Sequence, residues 1–422
     1  MQIGRLILRR RKELHLTQDA LAVGICSTSY LSKIENGQVT PHTEVLSALL
    51  KRLGLDPDLA RETDKREMEF DDQLHQWYAA IKQHDLHLAW KLYQNLKQTK
   101  GIVVDSALLI TYTLFEVRYF LMNKELKQAM KGLTALKKEE NLFSPLQSSY
   151  YYQFLGLYHL LMEEYDLSLK AYATAEQYAK EARIEDPELY YQLANLRSRL
   201  YHISYALFYA ATALEKYTDE SNLFRVIDTL ILMGINQQRL NMFDESYQSF
   251  ARALKIADQI SEEQKKATIY HNMGYLYFKQ SRCEEAIEMY RQSLQLGEER
   301  EKEKKANTYY YLAMVYHALG DKENAESANQ AGMELIREEP SAQTTFYHLT
   351  LQSLRFKTEI HTQDLELVEK TILPYFQKKG IWITVAECAE FLAGKYRELK
   401  RTGKVIRYQQ VEIEALRRMR DI

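Results

Sequence analysis

The chain has 422 residues, more than one hydrophobic core usually supports, and 46% of them are hydrophobic, which excludes a disordered protein and favours two or more packing units. Glycine and proline are scarce, at 15 and 6 residues, so the composition predicts an all-α fold. The sequence has no run of about 18 apolar residues and no apolar signal core, and we therefore expect a cytoplasmic protein without membrane contact.

The formal net charge of −2 is unevenly distributed along the chain. Residues 1–55 carry eight Lys and Arg side chains against four Asp and Glu side chains, a net charge of +4, which leaves −6 for the remainder. Contacts with a polyanion need local positive charge. The distribution therefore predicts that only the N-terminal segment approaches nucleic acid.

The sequence gives no indication of catalytic or metal chemistry. Cys26, Cys283 and Cys388 are far apart and lack the paired spacing of a zinc site or a redox motif. The histidines and acidic residues are scattered, and they form neither a nucleophile with its base nor a set of metal ligands. We expect no cofactor, no metal and no enzymatic activity.

Residues 1–55 divide into four short predicted helices. Thr17 precedes the second helix and Ser27 precedes the third, and each hydroxyl can accept a hydrogen bond from a free backbone N–H. In the third helix, Thr28 to Glu35, Leu31 and Ile34 are predicted to pack inward. The side chains predicted to point outward are Thr28, Ser29, Ser32 and Lys33.

The pattern Thr17-Gln18, Leu21-Ala22, Ser27 and Tyr30 to Gly37 resembles the phage-repressor-like helix-turn-helix family. The resemblance implies a DNA-binding domain at residues 1–55 whose third helix lies in the major groove of double-stranded DNA. It implies contacts with base edges or with the phosphate backbone for Arg5, Arg9, Arg10, Gln18, Thr28, Ser29, Ser32 and Lys33. The alternative is that Ser32 and Lys33 only solvate an exposed helix face.

From residue 66 onward, paired amphipathic helices recur with a period of about 40 residues. Gly234 and Gly274 are one period apart, and Ala313 follows Gly274 at nearly the same interval. A small residue at a repeated place lets the two helices of a repeat approach closely, and the following Tyr or Phe is expected to fill the gap to the next repeat. This predicts a tetratricopeptide-type superhelix at residues 66–422, with about nine helix pairs, after a linker at residues 56–65.

A stack of such pairs has a concave groove lined by the first helix of each pair, and its expected ligand is an extended peptide or a helix. An Asn amide both donates and accepts, as a peptide backbone requires, and an Arg can bind a carboxylate. The predicted peptide-binding residues are Arg118, Asn195, Asn236, Arg239, Asn272 and Asn307. For each Asn the alternative is a helix residue without a ligand; Asn272, directly before Met273-Gly274, is the strongest candidate. The runs Tyr150–Tyr152 and Tyr309–Tyr311 are interpreted as core packing between repeats.

A helix-turn-helix joined to a long repeat body resembles, over essentially the whole chain, the peptide-responsive quorum-sensing regulators of Gram-positive bacteria, the Rap/NprR/PlcR/PrgX group. The NprR-like members are the nearest in length. The resemblance implies a transcription regulator whose effector is a short signalling peptide that is secreted and re-imported. We expect a homodimer or a higher homo-oligomer, because one small DNA-binding domain contacts too little DNA for high specificity.

A second segment supports an alternative function. Residues 74–81 and 105–122 resemble the N-terminal helical bundle of Rap proteins, in which a Gln is inserted toward the aspartyl phosphate of a response regulator. Ser106 aligns with that Gln, and a serine presents no amide to the hydrolytic water. The alternative is therefore a repeat scaffold that docks a sporulation response regulator, with phosphatase activity in doubt. A scaffold that uses the groove for a folded protein partner also stays open.

Overall fold

The computed structural model describes residues 2–296, 302–339, 342–357 and 359–420. All regular elements in these ranges are helical, which confirms the predicted all-α class. None of the described helices is long and apolar enough to cross a membrane. The N-terminal segment forms α1 (Gln2–Glu13), α2 (Gln18–Ala22), α3 (Thr28–Glu35) and α4 (Thr43–Arg52).

The helices that follow succeed one another as pairs. They are α5 (Pro57–Gln83), α6 (Leu86–Thr99), α7 (Ser106–Met122), α8 (Leu126–Lys137), α9 (Pro145–Leu161), α10 (Tyr165–Ala182), α11 (Pro187–Arg199), α12 (Ile203–Asp219), α13 (Leu223–Arg239), α14 (Phe243–Gln259), α15 (Glu263–Lys279), α16 (Cys283–Gln295), α17 (Lys302–Ala318), α18 (Lys322–Leu335), α19 (Gln343–Phe356), α20 (Thr362–Leu367), α21 (Leu373–Lys379), α22 (Trp382–Glu398) and α23 (Thr402–Arg420). A π-helical turn, Val368–Ile372, joins α20 to α21.

The chain packs as two compact units. The first consists of Met1–Tyr158 and Lys170–Ile184, and the second of His159–Leu169 and Glu185–Ile422. In the first unit, α1 to α4 enclose a small core of their own, whose fully buried members include Ile7, Leu21, Leu31, Leu49 and Leu50. Gly4 lets α1 approach α3, because a Cβ there would lie 2.1 Å from the backbone oxygen of Ile34.

The predicted linker is helical. Its residues from Pro57 onward form the first turns of α5, which packs against both α1 and α4. The helix then continues to Gln83, where it forms the first member of the first helix pair. One unbroken helix therefore connects the N-terminal domain to the helix pairs, and the domain boundaries at residues 55 and 66 stay predictions.

Small residues hold the helix pairs close together. Gly234 on α13 faces Phe250 on α14, where a Cβ would lie 2.5 Å from the ring, and Gly274 on α15 faces Tyr290 on α16 at 2.7 Å. Both rings are fully buried. The aromatic residue follows the glycine at the same interval in both cases, so each ring packs on the glycine of its own pair. The close approach expected from the small residues is therefore present.

Candidate DNA-binding and peptide-binding sites

Side-chain caps fix the starts of α2 and α3. The Oγ1 atom of Thr17 accepts a hydrogen bond from the backbone N–H of Ala20 at 3.1 Å, and the Oγ atom of Ser27 accepts one from Tyr30 at 3.2 Å. The hydroxyl of Thr28 donates to Asp19 at 2.5 Å and ties α3 to α2. The two caps satisfy free N–H groups at the helix starts, and the Thr28 bond holds the beginning of α3 against α2.

The outward side of α3 carries the predicted DNA-contacting residues. Ser29 and Lys33 are exposed, whereas Thr28 and Ser32 are half-buried. Within the described residues, no acidic side chain pairs with the ammonium group of Lys33. Ser29, Ser32 and Lys33 therefore remain available for a base edge or a phosphate, whereas the Thr28 hydroxyl already donates to Asp19.

The basic residues of α1 are partly neutralised. Arg9 and Arg10 each bind the carboxylate of Glu13 at 3.0 Å. The hydrogen bond from Arg10 is the largest cause that lowers the pKa of Glu13, and the hydrogen bond from Arg9 is the second. All three side chains are largely accessible to solvent. The side chain of Arg5 lies outside the described residues. Because exposed ion pairs are weak, Arg9 and Arg10 can exchange Glu13 for a phosphate.

Gln18 lies against a buried ion pair. Its Nε2 atom donates to Glu35 at 2.7 Å, and Arg11 binds the same carboxylate with two nitrogens at 2.6 and 2.9 Å. Glu35 is only 3% exposed. Gln18 is therefore a half-buried residue that helps to hold the domain together, and its predicted DNA contact stays a prediction. Sequence reasoning missed Arg11 and Glu35, because Glu35 occupies the end of a helix where an acid is usually solvated.

The predicted peptide-binding residues have different environments. Arg118 on α7 is 4% exposed and Asn236 on α13 is 0% exposed, so both are buried in this structure, and their predicted contact with a peptide stays a prediction. Asn195, Asn272 and Asn307 are half-buried. The Nδ2 atom of Asn272 donates to the Thr268 backbone oxygen at 2.8 Å, which leaves its Oδ1 atom as the better ligand contact.

The four Asn residues do not form a repeated ladder. Asn195 follows the small residue of its helix by one position and Asn236 by two, whereas Asn272 precedes it by two and Asn307 by six. These offsets place the four amides at different heights along their helices, over a span of about 12 Å. A peptide backbone that crosses the first helices of the second unit at one height would therefore not meet all four.

Arg239 is the most exposed of the predicted peptide-binding residues. It ends α13 and is exposed. Its Nη1 atom donates to the backbone oxygen of Ser198 at 2.7 Å and to the Ser198 hydroxyl at 3.0 Å. The Oδ1 atom of Asn236 lies 3.5 Å from the same nitrogen, and the guanidinium stacks on Tyr201 at 4.6 Å. Asn236 thus helps to position Arg239.

Tyrosine side chains from α15 and α17 contact one another. Tyr275 and Tyr311 make an edge contact at 5.1 Å, and Tyr310 makes another with Tyr311 at 5.1 Å. Burial raises the pKa of Tyr275, Tyr201 raises it further, Arg239 opposes the rise and Glu387 adds to it. The charges of Arg239 and Glu387 therefore act in opposite directions on the pKa of Tyr275.

Glu387 on α22 is the acidic member of this group. It is half-buried, and burial raises the pKa of its carboxyl group while the charge of Arg355 opposes the rise. Arg355 donates to the backbone oxygen of Glu387 at 3.1 Å and pairs with the carboxylate of Glu390 at 4.0 Å. Within the described ranges no hydrogen-bond donor reaches the Glu387 carboxylate. We use the name tyrosine face for Tyr201, Arg239, Tyr275, Tyr310, Tyr311 and Glu387, whose charges and hydroxyl groups affect one another's pKa. Except for Tyr201, which follows α11, these residues lie on the first helices of their pairs.

Comparison with known proteins then decides the family. Residues 7–59 match the helix-turn-helix family, and residues 225–299 and 265–338 match the tetratricopeptide repeat family. Over 410 residues the chain is 31% identical to the transcriptional activator NprA of Geobacillus stearothermophilus, and the alignment covers 95% of this chain and 100% of that protein. The chain belongs to the NprA family.

Solved structures agree with this family assignment at the level of the fold. NprR in complex with its cognate peptide NprX matches with a TM-score of 0.66 and 23% identity, over 82% of this chain and 99% of that one. A Rap protein complexed with competence and sporulation factor matches with a TM-score of 0.70 and 19% identity, over 84% and 99%. The predicted architecture, a helix-turn-helix followed by tetratricopeptide repeats, is confirmed for this NprA-family chain.

In the NprA-family chain, a series of buried ion pairs joins the first helices α11, α13 and α15. Glu188 on α11, 1% exposed, accepts from Arg225 on α13 and from the Tyr217 hydroxyl, both at 2.8 Å. Asp228 pairs with Arg225 at 3.3 Å and with Lys265 on α15. The two acids are one repeat period apart, as are the two bases, so the sequence contains a signal for this ladder that sequence reasoning missed.

Ser106 begins α7 and is exposed. The Asp105 carboxylate before it accepts from Ala107 N–H at 2.7 Å, and Glu67 on α5 accepts from the N–H groups of Val104 and Asp105 at 2.9 Å each. These hydrogen bonds fix the backbone at the beginning of α7. The Rap resemblance assigns a Gln to position 106, and the serine found there has no side-chain amide. Among the described residues, no group of three His, Cys, Asp or Glu side chains could hold a metal ion.

Proposed function

We propose that this NprA-family chain is a peptide-responsive quorum-sensing transcription regulator. It binds double-stranded DNA through α3 and a short signalling peptide on the first helices of its repeat domain. The observation that carries the proposal is the end-to-end relationship to a transcriptional activator in a chain whose α3 presents Ser29 and Lys33 outward. The relative bound to a peptide has the same fold as this chain, which supports the second half of the proposal.

The DNA contacts follow from the accessible side chains. Thr28, Ser29, Ser32 and Lys33 face the base edges, while Arg9 and Arg10 lie nearer the phosphates, with Gln18 and Arg5 as further candidates. Two domains on a homodimer read two half-sites, because one short helix contacts too few base pairs for high specificity. The protein acts in the cytoplasm, where the DNA is, and has no enzymatic activity of its own.

The test is a titration of the purified full-length protein with short synthetic peptides encoded immediately downstream of its gene, followed by calorimetry. We expect micromolar or tighter binding, reduced at least tenfold by Asn272→Ala. Asn324→Ala is the matched control, since Asn324 is exposed on the second helix α18. If none of these peptides binds, the peptide half of the proposal is wrong and a protein-docking scaffold becomes the better account.

A second candidate function is docking of a sporulation response regulator without hydrolysis of its phosphate. The observation that favours it is the well-held segment before α7, where Ser106 is exposed at the helix start. The test is co-sedimentation of a phosphorylated sporulation response regulator with the protein, combined with a measurement of phosphate release. Binding without accelerated release supports it, and the absence of binding excludes it.

A further inference from the structure

The outward side of α8 carries a row of lysine residues. Lys127, Lys131 and Lys138 are separated by four and seven positions, so their side chains lie on one face of the helix, within an arc of about 40°. All three are exposed, whereas Ala129 and Leu133 are buried on the opposite side of α8. We call these three residues the lysine row.

Within the residues that the structure describes, no carboxylate pairs with any of the three ammonium groups of the lysine row. The neighbouring Lys137 differs from them, because it pairs with Glu140 at 2.5 Å and lies over the ring of Tyr152 at 5.6 Å. Like charges four positions apart on a helix repel each other and destabilise it. The lysine row is therefore a group of unneutralised charges whose repulsion a bound anion would relieve.

Positive charge is concentrated around α8. Neither α8 nor α6, the second helix of the preceding pair, contains an acidic residue, whereas α10, α12, α14, α16 and α18 each contain two or more. Residues 86–140 carry nine Lys and Arg against five Asp and Glu, a net charge of +4, although residues 56–422 together carry −6. A second basic segment therefore exists outside residues 1–55, where the sequence predicts the only approach to nucleic acid.

The lysine row belongs to the same compact unit as the DNA-binding domain. Helix α8 packs on α7, α7 packs on α5, and α5 packs on α1 and α4. With 27 residues, α5 is about 40 Å long, which sets the scale of the distance between the domain and α8. A DNA duplex covers this distance with about 12 base pairs.

We propose that the lysine row binds the phosphate backbone of the DNA that flanks the site read by α3. This contact adds affinity without depending on the sequence of the flanking DNA. The inference rests on the proposed DNA-binding function and adds to it a second contact, which the repeat domain makes.

The spacing and the chemistry of the lysine row suit a DNA backbone. From Lys127 to Lys138 the row extends about 16 Å along the helix axis, a length over which one DNA strand presents about five phosphates. Each ammonium group that meets a phosphate releases condensed cations. Lysine binds as a point charge on a flexible stem, so the contact needs no fixed register. DNA is favoured over an acidic protein because α3 already holds DNA at the same unit, which makes the second contact effectively intramolecular.

The experiment measures the affinity of the full-length protein for two DNA duplexes by fluorescence anisotropy, over a range of salt concentrations. The protein first selects a core of about 20 base pairs, the length of two half-sites, from a random duplex library. The core is then used alone, or with about 20 base pairs of unrelated sequence on each side, which exceeds the length that α5 spans. The variant combines Lys127→Gln, Lys131→Gln and Lys138→Gln.

We expect the variant to bind the long duplex about tenfold more weakly than wild type at about 0.1 M salt, and to bind the core alone equally well. The slope of log K against log salt concentration on the long duplex should become shallower by about 2.7, or about 0.9 for each lost phosphate contact.

The matched control combines Lys255→Gln, Lys322→Gln and Lys378→Gln, which change the net charge equally. These lysines are exposed on α14, α18 and α21 of the second unit, and the control should bind both duplexes like wild type.

Two further variants separate loss of charge from loss of structure. Replacing all three residues of the lysine row by Arg keeps the charge and should preserve binding to the long duplex. If the triple Gln variant loses its thermal transition, Lys131→Gln alone replaces it and should make the slope shallower by about 0.9.

The other outcomes overturn the inference in distinguishable ways. Unchanged binding of the variant to the long duplex, or an equal loss on both duplexes, shows that the lysine row makes no contact with flanking DNA. Loss of co-sedimentation with a phosphorylated response regulator, with DNA binding unchanged, makes the lysine row a protein-docking surface instead. A wild-type protein that selects no duplex from the library overturns the proposed DNA-binding function itself.

Discussion

Glu35, Glu67 and Glu188 carry buried carboxylates, and several donors surround each of them. Glu35 accepts from two nitrogens of Arg11 and from the amide of Gln18. Removing one partner of such a pair leaves a charge without compensation in a poorly solvated place, which costs more than the pair contributes when intact. The integrity of the small DNA-binding domain therefore depends on Arg11, although this residue is not among the predicted DNA contacts.

Arg11→Met should destabilise the DNA-binding domain by about 3 kcal/mol, because Glu35 keeps only the Gln18 amide as a side-chain donor. Amide hydrogen exchange in α2 and α3 of the full-length protein measures the loss of protection. Arg9→Met is the control: its ion pair with Glu13 is exposed and its removal should cost less than about 1 kcal/mol. Equal protection in the two variants would show that the buried pair is unimportant.

His348 on α19 predicts a pH dependence of the C-terminal helices. Burial lowers the pKa of His348 to about 4, and its ring stacks on Phe376 at 4.9 Å and bonds to the Thr384 hydroxyl at 3.0 Å. In the unfolded chain, the imidazole of His348 takes up a proton at about pH 6.5. In the folded protein, the same imidazole takes up a proton only at about pH 4. The contribution of neutral His348 is therefore fully present above about pH 6.5 and falls as pH falls toward 4, by up to about 3 kcal/mol.

The measurement is urea unfolding followed by the fluorescence of Trp382, in a chain that also carries Trp77→Phe and Trp90→Phe. Between about pH 7 and pH 4.5 the unfolding midpoint should fall more steeply with His348 present than with His348→Gln. The raised pKa of Glu387 acts in the opposite direction, and it is common to both proteins, so the difference between them isolates His348. Parallel curves would contradict the assignment.

Residue roles on the tyrosine face are only partly predictable from the sequence. Arg239 is predictable because an Arg on a first helix can bind a carboxylate, whereas Asn236, three residues earlier, looks like a ligand contact but is fully buried and supports Arg239. From the sequence, Tyr310 and Tyr311 are interpreted as core residues. Their rings contact each other, but both side chains are half-buried rather than fully buried. Glu387 is not predictable, because it lies several repeats beyond Arg239 on a helix outside the clearest copies.

Among the elements, the helix pairs are predictable because their signals repeat. Tyr201, Ser221, Asn241, Ser261 and Ser281 all have positive φ and follow one another at equal intervals of half a repeat period. Each ends one helix and begins the turn to the next, and the N–H of Asn241, for example, bonds back to Gln238 at 3.0 Å. The left-handed positions cannot be predicted from residue type, because only Asn among these types favours them.

Gly274→Ala should weaken the pairing of α15 with α16. The new methyl group would lie 2.7 Å from the Tyr290 ring, an overpacking cost of about 2 kcal/mol, against a gain of about 1 kcal/mol in helix propensity. Gly394→Ala on α22 is the matched control, since a Cβ there meets nothing within 4 Å and should stabilise its helix by about 1 kcal/mol. Amide exchange should therefore become faster in α15 of Gly274→Ala and slower in α22 of Gly394→Ala.

The contribution of the ring itself can be isolated. When Gly274→Ala is combined with Tyr290→Leu, the methyl group no longer meets a ring, and the cost of the alanine should disappear relative to Tyr290→Leu alone. An alanine at position 274 that raises protection in the wild-type background would show that the glycine is not required for close approach.

At the scale of the whole molecule, α5 is the feature that can link DNA binding to peptide binding. It packs on α1 and α4 at its beginning and ends as part of the first helix pair. A helix without a break transmits a change in orientation, whereas an extended linker would absorb it. If the peptide favours one arrangement of the repeats, DNA affinity changes by the same factor by which DNA changes peptide affinity.

Lys65→Pro should remove this coupling. Lys65 is exposed in α5, and a proline there deletes one backbone hydrogen bond and bends the helix. In wild type we expect a peptide that binds the repeat domain to change the affinity for operator DNA by about five- to 150-fold. In Lys65→Pro, the peptide and the DNA should each bind with the affinity that they have alone, so the factor by which one changes the affinity for the other should approach one.

Lys65→Ala keeps the helix and should behave like wild type. Unchanged amide exchange in α1 to α4 of Lys65→Pro would show that the proline has left the DNA-binding domain intact. A coupling factor that survives the proline would mean that the signal passes by another route, such as a change in the association of two chains that alters the spacing of their DNA-binding domains.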